Sequence, residues 1–259
     1  MKKTKILHIG IIILGIIFIL IPAFHTNIWF DESYSVAIAN KGFSDIWTIT
    51  GHDVHPPLYY WMLHFMYLIF GSHILIYRLF SVLSIAILGI IGYTHIKKDF
   101  GEKTGILFSF FTYFLPIMNT YAQEIRMYSW TCLIVTMMAI YGYRFYKNVK
   151  NKEEKNKIKN LCLFGLFSIS SCYIHYYALV TAGLTNLILL IYLIKNRNET
   201  KKDLRNFLIL AAIQILLYIP WMIFFVVQLK QVGGGYWIQL SLIGTTVDVL
   251  SFQFKNQVD

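Results

Sequence analysis

Long runs without charged residues alternate with short clusters of lysine and arginine along the whole chain. The uncharged runs include 6–30, 104–123, 160–194 and 206–229. A helix of roughly 20 residues crosses a bilayer core about 30 Å thick, so each run is long enough for at least one crossing. The pattern predicts an all-α, polytopic transmembrane helical bundle.

We predict about seven membrane spans, two of which form a hairpin that turns at His175-Tyr176-Tyr177. The seven spans cover 6–25, 77–96, 104–120, 127–146, 158–175, 177–195 and 206–228. The first span resembles a signal peptide, but it is long and no small-residue cleavage site follows it. We therefore interpret it as an uncleaved helix.

The basic residues predict the orientation of these spans. Most of the 23 lysines and arginines lie in four clusters, at 2–5, 97–103, 144–159 and 195–205. Short loops rich in lysine and arginine stay on the cytoplasmic side. The N-terminus is then cytoplasmic, and 26–76, 123–126 and 229–243 face outward from the plasma membrane.

Two segments of the external loop 26–76 are predicted to be interfacial helices. Residues 57–70 are apolar and aromatic, but they are too few for a typical span. If they crossed, every later basic cluster would move to the outer side. Residues 33–50 look like a second, amphipathic helix. The loop is longer than a connector needs, which indicates a function, and we expect it to carry the main site.

Composition excludes two broad classes of protein. Hydrophobic residues make up 57% of the chain, which excludes an ordinary soluble domain. The net charge of +10 would suit a nucleic-acid partner, but it is concentrated in loops that flank the membrane, where it meets anionic lipid. We therefore expect membrane lipid as a partner and no nucleic acid. The three cysteines lie in apolar runs, without metal-ligand spacing.

Polar residues gather at the predicted outer ends of the spans. Asp31 and Glu32 directly follow span one, His55 belongs to the segment HDVHPP, and His175-Tyr176 lies at the hairpin tip. The fourth group is Gln123-Glu124-Ile125-Arg126. Ionisable groups beside hydrocarbon are costly and usually functional.

Each group also has a structural interpretation, which the sequence leaves open. Asp31 and Glu32 could be an exposed pair at a helix end, and Glu124 and Arg126 could be interfacial anchors. His55 could shape an extended turn, because proline restricts the residue before it. His175 and Tyr176 could simply form a turn. The assignment of all four groups to one face favours function.

Six short motifs occur in an order that resembles the GT-C superfamily of membrane glycosyltransferases. They are FDESYSVAIA, HPPLYYWML, YRLFSVL, KKDFG, YAQEIRMYSW and HYYAL, and the resemblance covers about 6–245. The chain is most similar to the glycosyltransferase family 39-like group, which contains proteins resembling protein O-mannosyltransferases and aminoarabinose transferases.

The resemblance implies transfer of a sugar from a polyprenyl-phosphate carrier to a lipid, glycan or protein acceptor outside the membrane. Asp31 matches the acidic residue of the first external loop and would act as the general base on an acceptor hydroxyl. Glu32 would support it or help to hold a cation. Arg126 is the first candidate for the carrier phosphate, because guanidinium binds phosphate with two bonds, and Arg78 is the second.

Other site residues carry less defined roles under the same resemblance. His55 and His175 are candidates for either a metal ion or the phosphate, and a divalent cation is left open because no ligand set is decisive. The remaining substrate-binding candidates are Gln123, Glu124 and Tyr176. Members of the group are usually longer, so we expect residues 1–259 to be a single transmembrane module without the family's C-terminal part.

Two other function classes compete with a glycosyltransferase. A transporter or flippase for lipid-linked sugars would carry charges or broken helices near the midplane of several spans. Here the charges gather at the span ends, which favours catalysis at a membrane surface. A catalytically inactive assembly subunit stays open, because the chain is short for the family.

Overall fold

The computed structural model describes residues 2–24, 27–233 and 242–252 of the chain. Within these ranges the regular structure is entirely helical, which confirms the all-α prediction. The α-helices are α1 Lys2–Leu20, α2 Phe30–Ala39, α3 Phe43–Gly51, α4 Leu58–Phe70, α5 Ile74–Ile91, α6 Lys97–Phe100, α7 Glu102–Phe114, α8 Pro116–Gln123, α9 Tyr128–Lys150, α10 Lys157–Ile174, α11 Tyr176–Lys195, α12 Arg197–Gly233 and α13 Leu242–Ser251. A 3₁₀ turn, Ile21–Phe24, follows α1, and a π-helical turn, Gly92–Ile96, follows α5.

Contacts divide the chain into two compact units. Unit one comprises Met1–Ile46, Tyr60–Leu133 and Gln231–Asp259, and unit two comprises Trp47–Tyr59 and Ile134–Lys230. That the whole chain acts as one module stays a prediction.

Unit one is built around the close approach of α5 and α7. A Cβ atom added to Gly89 of α5 would lie 2.0 Å from Cζ of Tyr113, and the Tyr113 hydroxyl donates to the carbonyl of Ala86 at 2.8 Å. Ser109 of α7 donates to the Gly89 carbonyl at 2.7 Å. Small residues let membrane helices approach closely enough for such contacts.

Unit two has a core of aliphatic and aromatic side chains from α9, α10, α11 and α12. Its buried members are Met138, Phe145, Val149, Leu161, Phe164, Ala182, Leu189, Leu193 and Phe207. At the other end of α12, Trp221 packs edge-on against Trp47 of α3 at 4.8 Å between ring centroids. The amide of Gln228 donates to the carbonyls of Thr50 and Gly51 at 2.8 and 3.0 Å. These contacts anchor α3 to α12.

Four segments are long and apolar enough to cross a membrane. They are Lys3–Phe24, Ile74–Phe100, Tyr176–Lys195 and Arg197–Lys230. These segments overlap the spans predicted at 6–25, 77–96, 177–195 and 206–228. The crossings at 104–120, 127–146 and 158–175 stay predictions, as does the total of seven.

The span predicted at 104–120 does not form one continuous helix. Helix α7 ends at Phe114, Leu115 is extended with φ −68° and ψ 132°, and α8 starts at Pro116. Proline is accommodated at the first position of a helix, but it disfavours helical geometry in the residue before it. The break therefore falls at Leu115.

The first external loop also differs from its predicted form. Instead of one helix over 33–50 there are two, α2 and α3, because the helical pattern stops at Asn40 and resumes after Gly42. Helix α4 confirms a short apolar helix within 57–70. His64 of α4 is buried and its Nδ1 donates to the carbonyl of Ala39 at 2.8 Å, which joins α4 to α2. The location of α4 on the outer membrane surface stays a prediction.

The predicted external loop 229–243 falls largely on residues 234–241, which lie outside the described residues.

Candidate active site

Glu32 occupies the first turn of α2 and is almost fully buried. One carboxylate oxygen accepts a hydrogen bond from the backbone N–H of Ile125 at 2.9 Å. The other accepts from the N–H of Trp29 at 3.2 Å, as an acidic residue in the first turn of a helix often does. The guanidinium of Arg78 forms an ion pair with the same carboxylate at 3.3 Å. The carboxylate thus joins α2, α5 and the segment after α8.

Arg78, on α5, is only 1% exposed and makes further contacts with backbone carbonyls. Its Nη1 donates to the carbonyl of Gln123 at 2.7 Å, and its Nη2 donates to the carbonyl of Asn27 and to Glu32. A buried ion pair of this kind depends on both partners, because removing one leaves an uncompensated charge in the interior.

Asp31 is adjacent to Glu32 in sequence, but its side chain is 36% exposed. Its carboxylate lies 3.6 Å from Nη2 of the buried Arg126. Nη1 of Arg126 faces the Asp31 carbonyl at 3.4 Å and the hydroxyls of Ser35 and Tyr60, both at 3.5 Å. These separations are at the long end of the hydrogen-bond range. The arrangement places an accessible carboxylate beside a buried guanidinium.

Gln123 and Glu124 lie at the end of α8, where the backbone becomes extended. The amide of Gln123 donates to the carbonyl of Ile19 at 2.7 Å, which ties the end of α8 to the end of α1. The carbonyl of Glu124 accepts from the hydroxyl of Ser81 at 2.6 Å. The backbone of this segment is therefore fixed from two sides.

The Glu124 carboxyl lies among other charged groups. Burial raises its pKa to about 7; the nearby carboxylates of Glu32 and Asp31 act in the same direction, and Arg126 opposes them. Its Oε2 is buried without a hydrogen-bond partner among the described residues. Near neutral pH this group exchanges a proton easily, whereas the exposed carboxylate of Asp31 is accessible to a ligand.

The remaining predicted residues belong to unit two. Nδ1 of His55 donates to the carboxylate of Asp53 at 2.9 Å, and both side chains are partly exposed. His175 is the residue that precedes α11, and its Nδ1 accepts from the N–H of Tyr177 at 3.2 Å. His175 thus has the structural role of a helix cap.

Tyr176 is held by two residues that the sequence analysis did not identify. Its hydroxyl donates to the amide oxygen of Gln228 and accepts from the indole N–H of Trp221 at 3.2 Å. Trp221 and Gln228 are seven positions apart and so lie on one face of α12. That spacing alone could have indicated that both residues belong together. In unit one, Ser35 could also have been predicted, because it lies one helical turn from Asp31. Tyr60 could not, because it lies within an aromatic segment that does not distinguish it from its neighbours.

Unit one brings together six of the nine predicted residues, five through hydrogen bonds or ion pairs and Glu124 through electrostatic interaction with its charged neighbours. The six residues are Asp31, Glu32, Arg78, Gln123, Glu124 and Arg126. His55, His175 and Tyr176 belong to unit two. Across the described ranges, no three His, Cys, Asp or Glu side chains are grouped so that they could hold a metal ion.

Comparison with known proteins adds a family assignment. Residues 54–224 match the sequence profile of the family described as dolichyl-phosphate-mannose-protein mannosyltransferase. No curated protein and no solved structure matches the chain. The matched segment includes Arg78, Glu124 and Arg126, but it begins after Asp31 and Glu32. Since the match covers more than half of the chain, the protein belongs to this family of GT-C membrane glycosyltransferases.

Proposed function

We propose that the protein transfers a sugar from a polyprenyl-phosphate carrier to a lipid, glycan or protein acceptor at the outer surface of the plasma membrane. The family name describes transfer from dolichyl-phosphate-mannose, a sugar on a polyprenyl phosphate. The observation that carries the proposal is the accessible carboxylate of Asp31 beside the buried guanidinium of Arg126. This pair combines a proton acceptor with a phosphate ligand.

Asp31 is the general base of the proposed reaction. An acceptor hydroxyl is a weak nucleophile, and it attacks the sugar only as its proton passes to a base within hydrogen-bond reach. Asp31 is accessible for this task, whereas both oxygens of Glu32 already accept hydrogen bonds in the interior. Glu32 is therefore a positioning residue.

Arg126 binds the carrier phosphate. As the bond between sugar and phosphate breaks, negative charge develops on the leaving phosphate, and a guanidinium stabilises it with two parallel hydrogen bonds. The position of Arg126 beside the accessible carboxylate of Asp31 supports this assignment. Arg78 is the weaker candidate, since its hydrogen bonds engage it with backbone carbonyls and with the buried carboxylate of Glu32.

The external location of the site rests on the distribution of lysine and arginine. With seven crossings, the four basic clusters lie on the cytoplasmic side and the segments 26–76 and 123–126 lie outside. The outward position of α4 belongs to the same proposal. These segments supply five of the six predicted residues that unit one brings together, and Arg78 lies two positions after the end of the first segment.

The proposal is tested with the full chain in liposomes, supplied with mannose on polyprenyl phosphates of several lengths and with host membranes as acceptor. We expect sugar to be lost from the carrier, and Asp31→Asn to reduce this turnover by about 10²–10⁴. Donor binding should change little, because Asp31 does not contact the phosphate. Asp45→Asn, which removes an exposed carboxylate of α3, is the matched control.

The phosphate assignment is tested in the same assay. Arg126→Ala should weaken donor binding by roughly 10–100-fold, the contribution of one or two charge-assisted hydrogen bonds, and Arg126→Lys should restore part of it. Lys41→Ala removes an exposed cation from the external loop 26–76, which carries Asp31, and should have no effect on donor binding. Wild-type protein that binds the donor without consuming it would instead support an assembly role, and normal turnover by Asp31→Asn would exclude Asp31 as the base.

A further inference from the structure

A groove of about 760 Å³ runs along the first half of α12 in unit two. At its start it is lined by three cations, Arg197, Lys201 and Arg205. Leu204 lies between Lys201 and Arg205, and farther along the helix the lining is apolar, with Leu208, Ile209 and Ala212. The groove thus changes from cationic to apolar towards the uncharged run 206–229 of α12.

Helix α12 bends at Thr200, within the stretch of the helix that lines the groove. This buried residue departs from helical geometry, with φ −115° and ψ 19°. Its hydroxyl donates to the carbonyls of Leu193 and Asn196, at 2.9 and 3.1 Å. The lining of the groove extends from Arg197, before the bend, to Ala212, after it. The hydrogen bonds of Thr200 therefore fix the position of Arg197 relative to Lys201 and Arg205.

The cations of the groove are not neutralised by the nearby acids. Glu199 is paired with Lys152 at 2.9 Å, and Asp203 is paired with Lys157 at 3.1 Å. In the described part of the chain, Arg197, Lys201 and Arg205 have no ion-pair partner. The groove therefore presents uncompensated positive charge, which attracts an anion.

The apolar end of the groove indicates which class of anion would bind there. Leu204, Leu208 and Ala212 recur once per helical turn and so continue along one side of α12. Leu208 is 49% exposed, although it is apolar. A soluble phosphate or a nucleic acid would leave this surface uncovered, whereas an acyl chain attached to an anionic headgroup would cover it.

We propose that the groove binds one anionic phospholipid from the leaflet that borders the start of α12. Arg197, Lys201 and Arg205 bind the headgroup phosphate, and Leu204, Leu208 and Ala212 contact an acyl chain. The site is separate from the residues of unit one that we assign to sugar transfer, so the two proposals can fail independently.

The first test compares lipids on the unaltered full chain. Purified protein in detergent is titrated with phosphatidylglycerol or with phosphatidylcholine of the same acyl composition, and native mass spectrometry counts the retained lipids. We expect one phosphatidylglycerol to be retained at concentrations where phosphatidylcholine is not. Equal retention of the two lipids would overturn the proposal, because the site would not select charge.

The second test removes the cations. The variant R197Q/K201Q/R205Q should bind phosphatidylglycerol roughly 100-fold more weakly, as expected from three basic residues near an anionic headgroup. The matched control K155Q/K159Q/K202Q removes three exposed cations, one from the basic cluster of the groove and two from the cluster at 144–159, but none from the groove lining. Equal losses in both variants would mean diffuse attraction to a basic surface, not a site.

The third test alters the apolar end without changing any charge. Ala212→Phe fills the groove beyond the cations and should weaken retention of phosphatidylglycerol at least several-fold. Unchanged retention would contradict the assigned path of the acyl chain and with it the groove as a lipid site. Circular dichroism of each variant checks that its helix content is preserved.

Discussion

At the scale of single residues, two neighbouring carboxylates have opposite environments. Glu32 is 2% exposed and accepts hydrogen bonds from Ile125 and Trp29 while pairing with Arg78. The Asp31 side chain is 36% exposed and has one distant cation partner. The first arrangement stabilises the fold, and the second leaves a carboxylate free to act on a ligand.

We expect Glu32→Gln to lower the free energy of unfolding by about 3–5 kcal/mol, because it leaves Arg78 as a buried, unpaired charge. Asp31→Asn should change it by less than about 1 kcal/mol, as for an exposed ion pair. Chemical denaturation of the two purified variants in detergent measures both values. Similar losses in the two variants would contradict the distinction. Adding Arg78→Met to Glu32→Gln should restore part of the loss.

Glu124 should make stability depend on pH. Its ordinary pKa of 4.5 is raised to about 7 in the folded protein, chiefly by burial and then by Glu32. Between these values the folded state keeps a proton that the unfolded chain releases, so this group makes stability fall as pH rises from about 4.5 to about 7. Glu124→Gln cannot titrate, and it should flatten the unfolding temperature across that window.

The control for this experiment is Asp45→Asn, an exposed carboxyl of the same unit, which should keep the wild-type slope. Above about pH 7 we expect Glu124→Gln to be more stable than the wild type, because it avoids a buried charge. A variant that follows the wild-type profile throughout would show that another group titrates in this window.

At the scale of elements, the contact between α5 and α7 depends on the absence of a side chain. A Cβ at Gly89 would lie 2.0 Å from Tyr113, much closer than atoms can approach. Gly89→Ala should therefore lower stability by about 1–3 kcal/mol through overpacking, although alanine favours helices.

Gly10→Ala of α1 is the matched control for this substitution. Nothing lies within 4 Å of a Cβ at that position, so the change should be neutral or slightly stabilising. Thermal unfolding in detergent compares the two variants. If Gly89→Ala is as stable as Gly10→Ala, the two helices do not pack at the distance described.

At the scale of the whole molecule, the orientation in the membrane follows from the basic clusters and can be tested directly. In a background with Cys132, Cys162 and Cys172 replaced by serine, Asp45→Cys should react with a membrane-impermeant thiol reagent applied to intact cells. Lys152→Cys should not react until the cells are opened, although this position is highly exposed. External labelling of Lys152→Cys would overturn both the predicted topology and the outer location of the site.

The sequence by itself determined that the chain is helical and membrane-embedded. Whether a run of residues can span hydrocarbon depends on its composition and length, and both are given by the sequence of that run alone. It also identified the residues that cluster in unit one, because ionisable groups at span ends are few. The break at Leu115 is also determined locally, because Pro116 restricts the conformation of the residue before it.

Only the tertiary structure decided how each of these residues is held and how far it is buried. Three interactions depend on packing between distant parts of the chain or on local geometry that the pattern does not give. They are the ion pair of Glu32 with Arg78, the helix cap formed by His175 and the hydrogen bonds of Gln228 to α3. Asp31 and Glu32 show this most clearly. One local pattern contains both carboxylates, and helix geometry turns successive side chains about 100° apart. The neighbours of α2 then bury one carboxylate and leave the other accessible.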